Sequence, residues 1–248
     1  QICLDIFHFQ ATQNPVYQNY LRHLGVSPES VNTISDIPFL PVSFFKDKTV
    51  YCHPNRPETT FTSSGTSGRP SVHHIADPDI YKRSFLATFE QFYGAPESYC
   101  ILALLPSYLE REGSSLIYMV KTLIEKSGHP DSGFYLYNFS DLAEKLASLE
   151  SQKQQTLLIG VSFALLDFAE KHPQQLRVTT VMETGGMKGT RKELTRQELH
   201  ERLQNGLGIH GVHSEYGMTE LLSQAYSRGH GIFRCPPRMK IMTRDMYD

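Results

Sequence analysis

The chain has 248 residues, 20% of which are charged, and its formal net charge is −2. This length suits one large domain or two small ones, and the near-neutral charge excludes a general electrostatic attraction to nucleic acid or anionic membranes. No apolar run reaches the length of a membrane span, and the first residues lack the basic and apolar segments of a signal peptide. We therefore expect a cytoplasmic protein with no nucleic-acid partner and no membrane span.

The cysteines are few and scattered along the chain. None belongs to a C-x-x-C pair, so their spacing suits neither a zinc site nor a dense disulfide framework. Free thiols in a reducing cytosol are the expected state. The four residues are Cys3, Cys52, Cys100 and Cys235.

The N-terminal part predicts a helical and irregular segment over residues 1–59. Residues 5–24 carry the apolar spacing of a helix. Within that helix, Asn14 followed by Pro15 indicates a restart, because Asn is a good N-cap and Pro is favoured at the first helical position. Gly25 is a suitable residue to end the second helix.

From residue 60 to residue 220 short apolar runs alternate with amphipathic helical patterns. Such alternation predicts βαβ units, and therefore an α/β fold with a mostly parallel sheet flanked by helices. The predicted strands cover residues 100–105, 133–137, 156–159, 178–183 and 209–213, and the predicted helices lie near 78–93, 114–127, 140–151, 163–171 and 192–205.

After residue 220 the pattern changes. Short strand-like runs at 221–226, 231–234 and 239–243 are joined by glycine-rich and proline-rich turns. We predict that residues 221–248 form a small antiparallel β subregion near the C-terminus.

The loop at residues 62–70 has the composition of an anion-binding loop. Hydroxyl side chains and two glycines fill positions 62–68, and Arg69 follows. Glycine lets the backbone approach closely, and backbone N–H groups with hydroxyls donate hydrogen bonds to phosphate oxygens. The loop is not a Walker A motif, because no Lys follows Gly68. A flexible Ser/Gly linker is the simpler alternative.

Two further clusters are expected at strand ends, where open α/β sheets bind ligands. Residues 183–189 include three glycines, which permit a flat approach to a ring. Residues 214–220 include Tyr216, whose ring offers a face to a base. They also include Glu220, whose carboxylate suits a Mg²⁺ that bridges triphosphate oxygens. The alternative for both clusters is an ordinary polar turn.

Taken in order, T-S-S-G-T-S-G-R-P, a G-G turn and Y-G-M-T-E resemble the adenylate-forming superfamily of acyl-CoA synthetases, adenylation domains and luciferases. Residues 37–46, 105–111 and 213–220 look more narrowly like the acyl-protein synthetase (LuxE) family of bacterial bioluminescence. The resemblance runs from about residue 5 to the end of the chain.

The resemblance implies the large N-terminal domain of an adenylate-forming enzyme and a reaction in two steps. A carboxylic acid, with fatty acids among the candidates, reacts with ATP to give an acyl-adenylate, and a thiol then takes the acyl group. The thiol of CoA, of a carrier protein or of an enzyme cysteine would serve. By resemblance, ATP binding falls to Ser63, Ser64, Gly65, Thr66, Ser67, Gly68, Gly185, Gly186, Met187, Tyr216, Gly217 and Met218, catalysis to Arg69, Thr219 and Glu220, and Mg²⁺ binding to Glu220.

The chain departs from the family pattern at several points. Many relatives carry Lys where Ser71 follows the loop's Pro, so cationic help must come from Arg69 or elsewhere. No ribose-binding Asp and no C-terminal domain with a catalytic Lys is matched before Asp248. We therefore expect an N-terminal domain cut short, with its C-terminal lid domain absent. The acyl-accepting cysteine of the bioluminescence branch lies in that distal region, so none of the four cysteines inherits its role.

Three other hypotheses stay open. A non-catalytic nucleotide sensor derived from such enzymes would explain the missing C-terminal machinery. Residues 160–164 approach the G-x-S-x-G elbow of serine hydrolases, although Ser162 is more simply the N-cap of the next helix. Residues 106–115 follow a predicted strand and are expected to line the pocket for the acid.

Overall fold

The computed structural model describes residues 1–64, 68–106, 113–185 and 194–244. The chain divides into two compact units, Gln1–Asp79 and Ile80–Asp248. Within the described ranges, no helix combines the length and the apolar character needed to cross a membrane.

The first unit begins with two helices, α1 (Ile2–Gln13) and α2 (Pro15–Leu24). The side chain of Asn14 accepts the backbone N–H groups of residues 16 and 17, which caps α2. Gly25 ends α2 with a φ of 68°, a left-handed conformation that glycine adopts readily. The predicted restart and the predicted helix end are both confirmed. A buried apolar cluster lies against these helices and comprises Phe7, Ala11, Tyr17, Leu21, Val31 and Ile37.

The rest of the first unit contains a short helix, α3 (Phe44–Asp47), and a β-hairpin. Strand β1 (Thr59–Thr62) pairs antiparallel with β2 (Val72–Ile75). Strand β2 was not predicted, because its four residues include two histidines and lack a clear apolar alternation. The glycine-serine loop therefore connects the two antiparallel strands of a β-hairpin.

The second unit is an α/β structure built on a seven-stranded sheet. Its five helices are α4 (Pro78–Tyr93), α5 (Ser115–Ser127), α6 (Phe139–Ser151), α7 (Ser162–Lys171) and α8 (Arg196–Leu207), within the described ranges. Its strands are β3 (Cys100–Leu104), β4 (Gly133–Tyr135), β5 (Thr156–Val161), β6 (Thr179–Thr184), β7 (His213–Tyr216), β8 (Ala225–Ser227) and β9 (Phe233–Arg234).

The sheet has the strand order β4-β3-β5-β6-β7-β8-β9. The pairs from β4 to β7 are parallel, whereas β7–β8 and β8–β9 are antiparallel. The predicted α/β class with a mostly parallel sheet is confirmed. The central strands β3 and β5 are buried along their whole length, as expected for parallel strands covered on both faces.

Two predicted strands are wrong. Residues 209–212 are not a strand, because the N–H of Ile209 bonds back to the carbonyl of Gln204 and extends the end of α8. Strand β7 starts only at His213. Residues 239–243 contain no strand either, since the N–H of Met239 closes a turn onto the carbonyl of Pro236.

Helix α8 packs closely on α7 at a glycine. A Cβ at Gly206 would lie 2.9 Å from both the Cβ and the carbonyl oxygen of Ala169, which is closer than ordinary packing allows. We expect Gly206→Ala to lower the free energy of unfolding by about 1–2 kcal/mol, because overpacking outweighs the gain in helix propensity. Gly211 faces open space, so Gly211→Ala is the matched control. Equal denaturation midpoints for the two variants would contradict the expected crowding.

Candidate functional site

The candidate site lies at the carboxyl ends of β6 and β7. These strands pair in parallel, and the last paired residues are Thr184 and Glu215. Gly185 and Tyr216 follow directly, so these two predicted ATP-binding residues stand at neighbouring positions on one sheet edge. Gly185 adopts a φ of 71°, and the Tyr216 side chain is 39% exposed. An aromatic ring is thus available beside a backbone that carries no side chain.

The Tyr216 ring belongs to a small aromatic and cationic surface. The ring of Phe233 meets it edge-on, with centroids 6.1 Å apart. The guanidinium of Arg196, at the start of α8, lies 5.0 Å from the centroid of Phe233. The sulfur of Met218 lies 3.2 Å from the Tyr216 hydroxyl. Aromatic faces and a guanidinium together suit a flat, electron-rich ligand such as a nucleobase.

The turn after β7 carries the remaining predicted residues of this cluster. The N–H of Leu221 bonds to the carbonyl of Met218, which folds Thr219 and Glu220 into a tight turn. Gly217 precedes them for a reason of space: a Cβ there would lie 2.6 Å from Oε1 of Glu215. Gly217 therefore acts by leaving room for a buried carboxyl, in addition to its predicted place among the ATP-binding residues.

Glu183, near the end of β6, forms a buried polar network. Its Oε1 lies 3.6 Å from Nε of Arg196 and 3.7 Å from Nε2 of His200. The hydroxyl of Ser162 lies 3.1 Å from the other carboxyl oxygen of Glu183 and 2.6 Å from the carbonyl oxygen of Gly185. The Ser162 contact holds the Gly185 backbone at the site edge.

The predicted N-cap role of Ser162 is wrong. Helix α7 has Val161 as its N-cap and begins at Ser162 itself, whose hydroxyl contacts β6 and the turn after it. The geometry does not favour the serine-hydrolase alternative, because Ser162 is buried and contacts Glu183, whereas a nucleophilic serine needs an adjacent base such as histidine. We expect no labelling of Ser162 by a fluorophosphonate.

Glu215, next to Thr184 across the β6–β7 pair, is the least expected member of the site. Its carboxyl is buried, and Oε2 accepts a hydrogen bond of 2.6 Å from the Thr184 hydroxyl. Burial raises the pKa of Glu215 to about 7, with a smaller contribution from the nearby Glu183 carboxylate, while the Thr184 hydrogen bond acts in the opposite direction. Glu215 lies within the predicted cluster at residues 214–220, but no role was predicted for it. Its alternation with the exposed Tyr216 along β7 was the available signal.

Gln224, which precedes β8, is buried close to Glu215. Its amide nitrogen donates to the hydroxyl of Tyr81 on α4, at 2.8 Å, and that hydroxyl in turn donates to the carbonyl of Ser115. The amide oxygen of Gln224 has no hydrogen-bond partner among the described residues, and neither does the buried hydroxyl of Ser223. Gln224 was not predicted as a site residue, because a single buried amide leaves no periodic signal in the sequence.

The glycine-serine loop belongs to the first unit. The N–H of Ser71 donates to Oγ of Ser63, and the N–H of Ser63 donates to the carbonyl of Ser71, which closes the base of the loop. Gly68 has a φ of 112°, a conformation open mainly to glycine. Arg69 is exposed and lies 3.3 Å from a carboxylate oxygen of Asp47.

The structure describes one of the remaining predicted residues of the loop and the glycine turn. Ser64, in the first unit, is the last described residue before the gap in the loop. Gly65, Thr66, Ser67, Gly186 and Met187 lie outside the described residues.

The residues of the turn fit a nucleotide-bound Mg²⁺. Within the described ranges no group of three His, Cys, Asp or Glu side chains could hold a metal by itself. Mg²⁺ with a nucleotide needs only one or two protein carboxylates, because phosphate oxygens and water complete its octahedral shell. The half-buried carboxylate of Glu220 meets that requirement.

The cysteines are all within the described residues, and none forms a disulfide. The expectation of free thiols is confirmed. Cys100 is buried, which raises the pKa of its thiol to about 11.

A scan against protein-family models matches no family, and no curated protein matches the chain.

Proposed function

We propose that this chain activates a carboxylic acid with ATP and that the acyl group is then passed to a thiol, as in the acyl-protein synthetase family it resembles. The observation that carries the proposal is the adjacency of Gly185 and the exposed Tyr216 ring, with Thr219 and Glu220 in the turn directly beyond. One edge of the sheet thus offers a ring platform, a hydroxyl and a carboxylate within one short segment.

In the proposed complex the adenine base stacks on Tyr216, with Gly185 and Gly186 on its other side. The Gly185 turn is held by Ser162, so the backbone on that side is fixed before the base arrives. A fixed platform lowers the ordering cost of binding.

The chemistry is a displacement at the α-phosphate. A carboxylate oxygen of the acid forms a bond to the α-phosphorus, and the bond from that phosphorus to the oxygen of the β-phosphate breaks, so pyrophosphate leaves. Thr219 would donate to an α-phosphate oxygen, and Glu220 would hold the Mg²⁺. When bound, Mg²⁺ supplies neutralisation of the phosphate charge. Donors aimed at developing charge account for most of the stabilisation in such reactions.

By resemblance alone, the glycine-serine loop would hold the β- and γ-phosphates. Its donors are the hydroxyls and backbone N–H groups of residues 63–68. Arg69 supplies the positive charge that relatives take from a lysine. Its partner Asp47 is exposed like Arg69 itself, so exchanging Asp47 for a phosphate costs little.

The second step transfers the acyl group to the sulfur of a thiol and releases AMP. CoA, a carrier protein and an enzyme cysteine remain the candidate acceptors. Cys100 is the least suitable cysteine of this chain, because the thiolate is the nucleophile and burial disfavours it. We place the reaction in the cytoplasm, since unpaired cysteines are typical of a reducing compartment.

Pyrophosphate exchange tests the proposal. We incubate the protein with ATP, Mg²⁺, labelled pyrophosphate and each of a panel of carboxylic acids. We expect the label to be incorporated into ATP with at least one acid. Tyr216→Ala should weaken ATP binding by about tenfold, because a base–aromatic stack is worth about 1–3 kcal/mol, while Tyr216→Phe retains the stack. If the protein bound ATP but supported exchange with none of the acids, the nucleotide-sensor hypothesis would be favoured over the enzyme.

A further inference from the structure

Charge is distributed unequally along the chain. Residues 221–244 contain five Lys and Arg side chains and no Asp or Glu, so this segment carries a formal charge of +5, whereas the other residues together carry −7. All five basic side chains are exposed: Arg228, Arg234, Arg238, Lys240 and Arg244. A local concentration of one charge sign attracts a partner of the opposite sign, even when the net charge of the whole chain is small.

Three of these side chains lie on the part of the segment that approaches the candidate site, and we call Arg234, Arg238 and Lys240 the basic edge. Strand β8 is antiparallel to both β7 and β9, so β9 runs in the same direction as β7. The chain after Arg234 therefore leaves the sheet at the edge where Tyr216 ends β7. Because neighbouring strands lie about 4.8 Å apart, β9 lies about 10 Å from the β7 backbone.

The basic edge has no counter-charge of its own. Among the described residues, no Asp or Glu forms an ion pair with Arg234, Arg238 or Lys240. The guanidinium of Arg228, by contrast, lies 5.5 Å from the ring centroid of Tyr93 and is engaged in packing. The three charges of the basic edge are thus open to a partner in a way that the Arg228 charge is not.

An exposed apolar side chain favours a protein as that partner. Ile241 directly follows Lys240 and is 61% exposed. Protein interfaces combine apolar contacts with a charged rim, whereas a small molecule such as CoA binds in a concave pocket. Nucleic acid and anionic membranes are disfavoured, because the negative charge on the remaining residues repels an extended polyanion. The basic edge therefore fits a small protein with an acidic surface.

We propose that the basic edge docks an acidic carrier protein, which brings the acyl-accepting thiol. This inference rests on the function proposed above and selects one of its three candidate acceptors. A partner docked about 10 Å from β7 must reach the site with a thiol on a long arm. The phosphopantetheine group of a carrier protein is such an arm, whereas a cysteine side chain is too short.

The transfer itself is a substitution at the acyl carbon. The thiol sulfur forms a bond to that carbon, and the bond from the carbon to the phosphate oxygen of AMP breaks. AMP leaves, the thiol proton passes to solvent, and the acyl group remains on the carrier protein as a thioester.

The first test measures acyl transfer to a purified, acidic holo-acyl carrier protein. The double variant Arg238→Glu, Lys240→Glu should raise the KM for the carrier protein by about tenfold or more, because like charges then face each other. The wild-type KM should rise with salt, since exposed charges are screened. The double variant Lys121→Glu, Lys126→Glu reverses two exposed charges on α5 and is the matched control, with an unchanged KM. Pyrophosphate exchange should be the same in all three proteins.

Failure of this inference is distinguishable from failure of the proposed function. If exchange occurs, three results would overturn the docking site while adenylation stands: no transfer to the carrier protein, the same KM in both double variants, or free CoA as the better acceptor. If no acid supports exchange, calorimetric titration with the holo-acyl carrier protein examines docking by itself. Binding that weakens by about tenfold or more in Arg238→Glu, Lys240→Glu supports the basic edge. Absence of binding, or equal binding to the wild-type protein and this variant, overturns it.

Discussion

Raising the pH from about 5 to about 8 should cost the wild-type second unit up to about 3 kcal/mol of stability relative to the Glu215→Gln variant. The reason is the buried carboxyl of Glu215, whose pKa is raised from 4.5 to about 7 by burial. Between these two values the folded state holds a proton that the unfolded state has released. The free energy of unfolding therefore falls as the pH rises through this window and levels off above it.

The surroundings of Glu215 offer little to offset the charge. Glu183 on β6 adds repulsion, and Tyr81 and Tyr93 on α4 and Tyr226 on β8 face it as neutral phenols whose pKa values are themselves raised, mainly by burial. Among the described residues, the Thr184 hydroxyl is the group that favours the ionised form. Glutamine retains the Thr184 hydrogen bond through its amide oxygen and cannot ionise.

Urea unfolding of both proteins at several pH values measures the difference. The difference in unfolding free energy, variant minus wild type, should grow with pH between about 5 and 7 and then stay constant. A difference that is flat across this range, or that shrinks with pH, would show that Glu215 is ionised and well solvated in the folded state.

The sequence predicts the parts of this fold that depend on local chemistry. The Asn14–Pro15 restart, the Gly25 end of α2 and the strands β3 and β5 follow from capping preferences and from fully apolar runs, which act over a few residues. Strand β2 and the start of β7 cannot be predicted from local patterns, because pairing with a strand distant in sequence determines them.

The candidate site is predictable to a similar extent. Gly185 and Tyr216 come from recognisable motifs, and parallel pairing places them side by side. The grouping of Glu215, Gln224 and Tyr81 depends on the register of β7 against β8 and on a tyrosine from α4, which are contacts between residues far apart in sequence. Gly217 illustrates the difference. Its place in the motif can be read from the sequence, but the close approach of the Glu215 carboxyl, which leaves no room for a Cβ, cannot.

Glu220→Gln should lower the rate of pyrophosphate exchange by about 100-fold or more at limiting Mg²⁺, since even indirect partners of a metal site are worth about 10–100-fold. The amide matches the size of the carboxylate, and the turn is held by the Leu221-to-Met218 backbone bond, so the fold should be retained. The loss arises because a neutral oxygen holds Mg²⁺ less strongly than a carboxylate does.

The measurement is a Mg²⁺ titration of exchange at saturating ATP and acid. Glu220→Gln should need a higher Mg²⁺ concentration and reach a lower plateau, whereas metal-free ATP binding should change little. Glu144→Gln removes an exposed carboxylate on α6 and serves as the control for net charge. If Glu220→Gln retained the wild-type Mg²⁺ dependence, Glu220 would not be the metal ligand. The catalytic carboxylate would then have to be sought elsewhere on the same sheet edge, where Glu183 already has cationic neighbours in Arg196 and His200.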